Sequence, residues 1–301
     1  MKITLLLVLI CALINPLLTE AQIRNKKTLQ YLSQTPPGLV PEVFAPGIVS
    51  LKDQHEFGST FSANGEEFYF GVDVNGKAET RFMRLEGKSW TPPSKLFVHN
   101  VYSFNDPCLS MDENQLFVIS DRPVSGSGEK KDYDIWYFKR EGKGWSEPIN
   151  AGTAINSNKN EYYISFTKTG TMFYSSNTGT SESNNGNYDI RTAKNSGGFQ
   201  QSVKLGDAIN TENYEGDVFV APDESYLIFC AERPDGFGRG DLFISFKDAK
   251  GEWSVAKNMG DVINTAAYEF CPFVTRDGKY LFYTSNRDIY WVDARILEQL
   301  K

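Results

Sequence analysis

Residues 268–291 read YEFCPFVTRDGKYLFYTSNRDIYW. Aromatic and β-branched residues dominate the stretch, and Asp277-Gly278 suits the positive φ of a tight hairpin. It therefore predicts three short strands joined by two turns. Nearly the same phrase stands earlier, as YEGDVFVAPDESYLIFCAERP over residues 214–234. Recurrence at this scale is the signature of a repeat architecture.

Three further markers set the period. The centre of the strand after each turn falls at Tyr69, Phe117, Phe173, Ile228 and Phe282, in steps of 48, 56, 55 and 54 residues. An aromatic residue opens the last strand of each unit at Trp90, Trp145, Phe199 and Trp253, in steps of 55, 54 and 54. Ten residues beyond that aromatic come Ile155-Asn156-Ser157, Ile209-Asn210-Thr211 and Ile263-Asn264-Thr265. Four-stranded units of this length cannot bury both faces alone and must stack around an axis, which predicts an all-β, five-bladed β-propeller of antiparallel blades.

The fifth copy stops after Trp291 without its Trp-containing tail. LVPEVFAPGIVSL, from Leu39, resembles the missing piece; compare WSEPINAGTAINS from Trp145. This N-terminal segment is expected to add the fourth strand to the last blade, closing the ring and covering a sheet edge that would otherwise invite aggregation. The blades then run over about 52–101, 102–157, 158–211, 212–265 and 266–293, the last completed by 39–50, in one domain spanning 37–301. Residues 22–36 read as a polar, flexible lead-in.

The stretch from Glu269 to Arg287, followed by Asp288-Ile289-Tyr290, resembles the TolB-type, WD40-like β-propeller repeat: an acid, a proline, Asp-Gly, an aromatic strand, then Ser-Asn-Arg. The Trp-Ser-x-Pro and Ile-Asn-Ser/Thr tails resemble copies in exported bacterial proteins. The resemblance spans nearly the whole chain after residue 21 and implies the fold. It implies little about function, because such propellers serve as binding platforms, accessory domains and occasionally enzymes.

Export is predicted independently. Met1-Lys2 is basic, residues 3–18 are apolar apart from Asn15, and Thr19-Glu20-Ala21 places small residues where a signal peptidase cuts. A signal peptide over 1–21 sends the protein to the periplasm or outside the cell. An N-terminal anchor is the alternative, opposed by Pro16 and the short apolar run. No other run is long enough to span a membrane. Cys108, Cys230 and Cys271 remain after cleavage, an odd number that leaves at least one free thiol. A net charge of −7 with both signs dispersed excludes a nucleic-acid or anionic-membrane partner.

Strand order places three sets of residues on one face, the top. Glu56, Glu161, Glu215 and Glu269 open the inner strands; blade 2 has Phe104 in that slot and Asp106 two residues on. Arg122, Arg233 and Arg287 end the second strands, and polar loops over 122–131, 177–187 and 233–240 rise beside them. The acids admit two readings: an acidic pocket for a sugar, peptide or divalent cation, or structural pairs with arginines of neighbouring blades. Repetition favours the structural reading, because catalytic groups occur once. That directs attention to the non-repeating Asp106, Asp217, His55 and Phe104. Tyr162, Tyr214 and Tyr268 on the rim suit stacking against sugar rings. The third-strand acids Asp134, Asp189, Asp241 and Asp288 are expected to accept hydrogen bonds from turn amides.

There are two histidines, His55 and His99, and no zinc spacing, nucleophile elbow or phosphate loop. No cofactor is expected. Calcium is the one metal these acids would suit, and no compact Asp-rich loop supports it. The sequence therefore points to a monomeric binding scaffold for a protein partner or a glycan, acting through the top face. The alternative is a carbohydrate-active hydrolase or lyase using Asp106, Glu161 and Glu215.

Overall fold

The computed structural model describes residues 30–97, 101–177 and 187–301. The expected signal segment, His99 and part of the 177–187 loop lie outside the described residues. Five antiparallel sheets surround one axis. Blade 1 comprises Glu56–Phe61, Glu67–Val74, Lys77–Glu86 and a broken outer strand, Ser89–Trp90 with Ser94–Lys95. Blade 2 comprises Asn105–Leu109, Gln115–Ser120, Asp134–Glu141, and Gly144–Trp145 with Ile149–Asn150. Blade 3 is Glu161–Phe166, Met172–Ser176, Asp189–Ala193 and Val203–Lys204; blade 4 is Tyr214–Val220, Tyr226–Glu232, Asp241–Phe246 and Lys257–Asn258. In blades 1 and 2 the outer strand breaks at Pro92-Pro93 and Pro148, which cannot donate to a ladder.

Blade 5 holds Phe270–Val274, Tyr280–Ser285 and Asp288–Asp293, and its outer strand is Glu42–Val43 from the N-terminal region. Glu42 lies opposite Trp291 and Val43 opposite Tyr290. The next residue, Phe44, donates its N–H to the Ile289 carbonyl at 2.8 Å, and its buried ring meets Phe61, Phe68, Phe282 and Trp291. The clasp thus joins the first and last blades through an aromatic core.

The periodic outer aromatics have a packing reason. Trp145 meets Tyr69, Phe199 meets Phe117 and Trp253 meets Phe173, each reaching back to the second strand of the preceding blade. Blade 5 has no such aromatic. Over its junction with blade 4 the 3-10 turn Ala294–Leu300 lays Ile296, Leu297 and Leu300 on the cluster containing Ile228.

The described part of the expected flexible lead-in is docked. Tyr31 and Leu32 are buried, the Tyr31 N–H bonds to Gly65 O at 3.3 Å, and its ring meets Phe61 and Tyr280. The segment is polar around these two residues, yet their apolar area suffices to hold it on the bottom of blades 1 and 5. All three described cysteines are free thiols. No described helix is long and apolar enough to cross a membrane.

Candidate functional site

The repeating acids lie inside the protein, each 0 % exposed. Glu161 accepts from the Ser157 N–H and hydroxyl at 3.1 and 2.6 Å and from the Ser176 hydroxyl at 3.0 Å. Glu215 takes the same pair from Thr211, and Glu269 from Thr265 with Ser285 added. The residue before each linker Ser or Thr completes a latch. Asn156, Asn210 and Asn264 bond both backbone groups of Ile135, Ile190 and Leu242 in the third strand. The Ile-Asn-Ser/Thr marker is therefore the device that ties each blade to the next. Only Glu215 reaches an arginine, Arg233 at 3.3 Å, and that arginine is on its own blade rather than a neighbour. Hydroxyls and backbone amides hydrogen-bond Glu161, Glu215 and Glu269 instead, whereas Glu56 accepts one bond, from the Leu51 N–H at 3.4 Å, and its Oε2 is buried without a partner among the described residues. Burial still pushes Glu161 and Glu56 up to about 7. In blade 2, where Phe104 replaces the acid, Asp121 accepts the Ser103 N–H at 2.8 Å.

Several other candidates also turn away from the axis. Phe104 packs in the core against Phe97 and Phe138. The Arg122 guanidinium lies over the Trp136 ring, and Arg233 lies over Phe243. The Arg287 carbonyl accepts the Glu56 N–H. Of the third-strand acids, Asp241 bonds the turn amides of Phe237 and Gly238, whereas Asp134 and Asp189 pair with Lys131 and Lys204.

What does converge lies two residues past the repeating acid. Every inner strand is bulged at this point, with the register slipping against its second strand. The bulged residues are Gly58, Asp106, Tyr163, Asp217 and Cys271, with φ of +48°, +49°, +45°, +50° and +52°. Four of the five carry a side chain in this sparsely populated region, which costs about 1–3 kcal/mol each, and such strain concentrates at functional sites. A Cβ placed on Gly58 would meet Asp106 Oδ1 at 2.8 Å and Cys271 Sγ at 3.5 Å, so three blades meet there. The Cys271 thiol lies 3.9 Å from Asp217 Oδ2.

Above this floor opens a well of about 290 Å³. Its walls are Phe57, Tyr162, Tyr188, Tyr214, Tyr268 and Phe270; its base is Asn105, Asp106, Asp217 and Cys271. Ring contacts run from Tyr133 to Tyr162, Tyr188 and Tyr214, and from Tyr268 through Phe270 and His55 to Phe57. Gly216 makes room for one wall, since a Cβ there would stand 2.4 Å from the Tyr214 hydroxyl. Asp106 Oδ1 is buried without a hydrogen-bond partner, as is Asn105 Oδ1. Burial first, and Asp217 second, push the Asp106 carboxyl up to about 8; burial pushes Asp217 up to about 6. Among the described residues no group of three or more His, Cys, Asp or Glu is placed to hold a metal ion.

The well thus gathers Asp106, Tyr162, Tyr214, Asp217 and Tyr268 from the sequence candidates. Sequence reasoning missed Phe57, Asn105, Tyr163, Tyr188, Phe270 and Cys271. One signal pointed to Tyr163 and Cys271: with the repeats aligned on their acids, this slot holds five positions and four residue types.

Gly58→Ala should bring a methyl group against the free Asp106 oxygen in a strained backbone. The expected loss is about 1–3 kcal/mol of stability, read in denaturant melts, with Asp106 displaced from the well. An unchanged melt would show that the bulge relaxes.

No protein-family model matches the sequence, and no curated protein matches it. Solved structures do. A protein of unknown function from Dyadobacter fermentans superposes with TM-score 0.52 at 14% identity, covering 86% of this chain and 83% of that one. The catalytic domain of a Coprinopsis cinerea α-L-arabinofuranosidase gives 0.51 at 9% identity, covering 85% and 97%. TolB from Acinetobacter baumannii gives 0.50 at 10% identity, covering 79% of this chain but only 54% of TolB. At these identities the likeness is one of fold alone.

Proposed function

We propose that the protein is an exported propeller that binds carbohydrate in the top well. One observation carries this reading: six aromatic side chains enclose a base whose buried carboxyl, on Asp106, has an oxygen with no partner among the described residues. Aromatic faces suit the C–H faces of a sugar ring, and a few fixed polar groups at the base suit its hydroxyls. A well of this volume fits a small ligand better than a protein epitope. Export rests on the basic, apolar and small-residue order of the first 21 residues.

The test is a glycan and peptidoglycan binding screen followed by titration calorimetry. Tyr162→Ala and Asp106→Ala should each weaken the best ligand at least ~10-fold, the scale of a lost stacking contact or buried hydrogen bond. Unchanged affinity in both variants would remove the well as the binding site.

A second reading, glycoside hydrolysis, is favoured by the acid pair. Asp106 and Asp217 come from different blades, face one cavity and have no basic group among its lining. Between about pH 6 and 8 one holds a proton while the other is ionised, the division of labour of a general acid and a base or nucleophile. Asp106→Asn and Asp217→Asn should then each abolish release of reducing ends while binding persists.

A further inference from the structure

We infer that the well receives the end of a glycan chain, and an end that carries no negative charge; this rests on the carbohydrate reading above. The first ground is that the well is blind. The Tyr163 hydroxyl, buried under the base, reaches from blade 3 to blade 5 and donates to the Pro272 carbonyl at 3.0 Å. Below it the axis retains about 40 Å³ of space. Lower still, Arg276 of blade 5 crosses to blade 2 and donates to the carbonyls of Leu109, Ser110 and Met111 at 3.1, 2.8 and 3.0 Å. Three charge-assisted bonds make a firm plug. A sugar chain cannot thread this channel, so whatever enters the well leaves by the same mouth.

The second ground is the shape of the wall. An internal residue of a chain lies in a groove open at two opposite sides. Here Tyr162, Tyr188 and Tyr214 stand ring to ring at 5.6 and 5.4 Å, Tyr214 hydrogen-bonds Tyr268, and Tyr268 meets Phe270 at 5.1 Å, so the rings form one continuous wall. At about 290 Å³ the space is at the lower edge of the ~300–1,000 Å³ usual for small-molecule sites, room for one ring rather than several.

The third ground is charge. The ionisable groups at the base are Asp106, Asp217 and the Cys271 thiol, and no basic side chain is among the well's lining. The Asn105 amide and tyrosine hydroxyls supply the remaining polarity. A uronate, sialate or sulfate would set its charge against Asp217 in a poorly solvated space, where like charges repel strongly. Neutral residues meet no such penalty, and an amino sugar would gain an ion pair.

The experiment is a glycan array probed with the full exported chain, its hits repeated by calorimetry with three forms of each glycan. One form has its natural end, one has that end extended by a further residue, and one has the end residue oxidised to a uronate. The expected result is binding of the natural end, with at least tenfold weaker binding of the extended and oxidised forms. Equal binding of the extended form would overturn end recognition, and equal binding of the uronate would overturn charge selection. An array with no hits at all would instead sink the carbohydrate reading, and this inference with it.

Discussion

Phe44→Ala should destabilise the propeller by about 3–5 kcal/mol, the range for removing a buried aromatic from a core. The Phe44 side chain is fully buried, and its ring contacts come from both blade 1 and blade 5. Losing it opens a cavity at the one junction where the sheet is completed by a strand from the far end of the chain. Backbone bonds at Glu42 and Val43, from the Phe44 N–H to Ile289 O and from the Asp293 N–H to Gly38 O also hold the segment, and Phe44 is its largest fully buried side chain. Denaturant melts should show the lower stability, and hydrogen exchange should show Tyr290 and Trp291 losing protection before the inner strands. A cost below ~1 kcal/mol would mean that the docked 30–34 segment alone keeps the ring shut.

Asp106→Asn should raise the melting temperature at pH 8, and raise it progressively less as the pH falls, parent and variant converging below about pH 4. The folded protein keeps Asp106 protonated up to about pH 8, whereas the unfolded chain ionises it around the ordinary value of 3.8. Between those limits the native state binds the extra proton, so stability is full below about pH 4 and declines as pH rises through 8. The slope is about 1.4 kcal/mol per pH unit for each such group. Asn has the same shape and nothing to ionise, so it escapes that decline. Of the groups facing Asp106, Asp217 repels a second charge, and Tyr162, Tyr163 and the Cys271 thiol are held above their usual ranges by burial; the Asn105 side-chain hydrogen bond pulls the other way and is outweighed. At that slope the gain grows by about 4 kcal/mol between pH 5 and pH 8, or roughly 10 °C at about 2–4 °C per kcal/mol. A constant difference between variant and parent across pH 5–8 would show instead that Asp106 is ionised in the folded state.

These effects sort what was legible in one dimension from what was not. Five blades and the N-terminal clasp follow from the sequence, because the repeats share local physics: a tight turn after the inner strand, an apolar and largely aromatic second strand, and in four of the five copies an aromatic residue at the outer edge. Even the Ile-Asn-Ser/Thr tail was visible as a marker. Its purpose was not, since the latch from Thr265 to Glu269 and Ser285 and from Asn264 to Leu242 closes only in three dimensions. Repetition set the glutamates, which are buried outside the well, apart from Asp106 and Asp217, which line it. It did not disclose that hydroxyls rather than arginines of neighbouring blades would bond Glu161, Glu215 and Glu269.

Tertiary structure alone decided the site. Gly58, Asp106, Tyr163, Asp217 and Cys271 are about fifty residues apart in sequence, and each belongs to a strand that reads as ordinary core. A one-residue bulge in every inner strand turns them together toward the axis. No local pattern encodes that convergence, because ring closure creates it: only when five inner strands face one another do two carboxyls lose their water and six aromatic side chains find a common cavity.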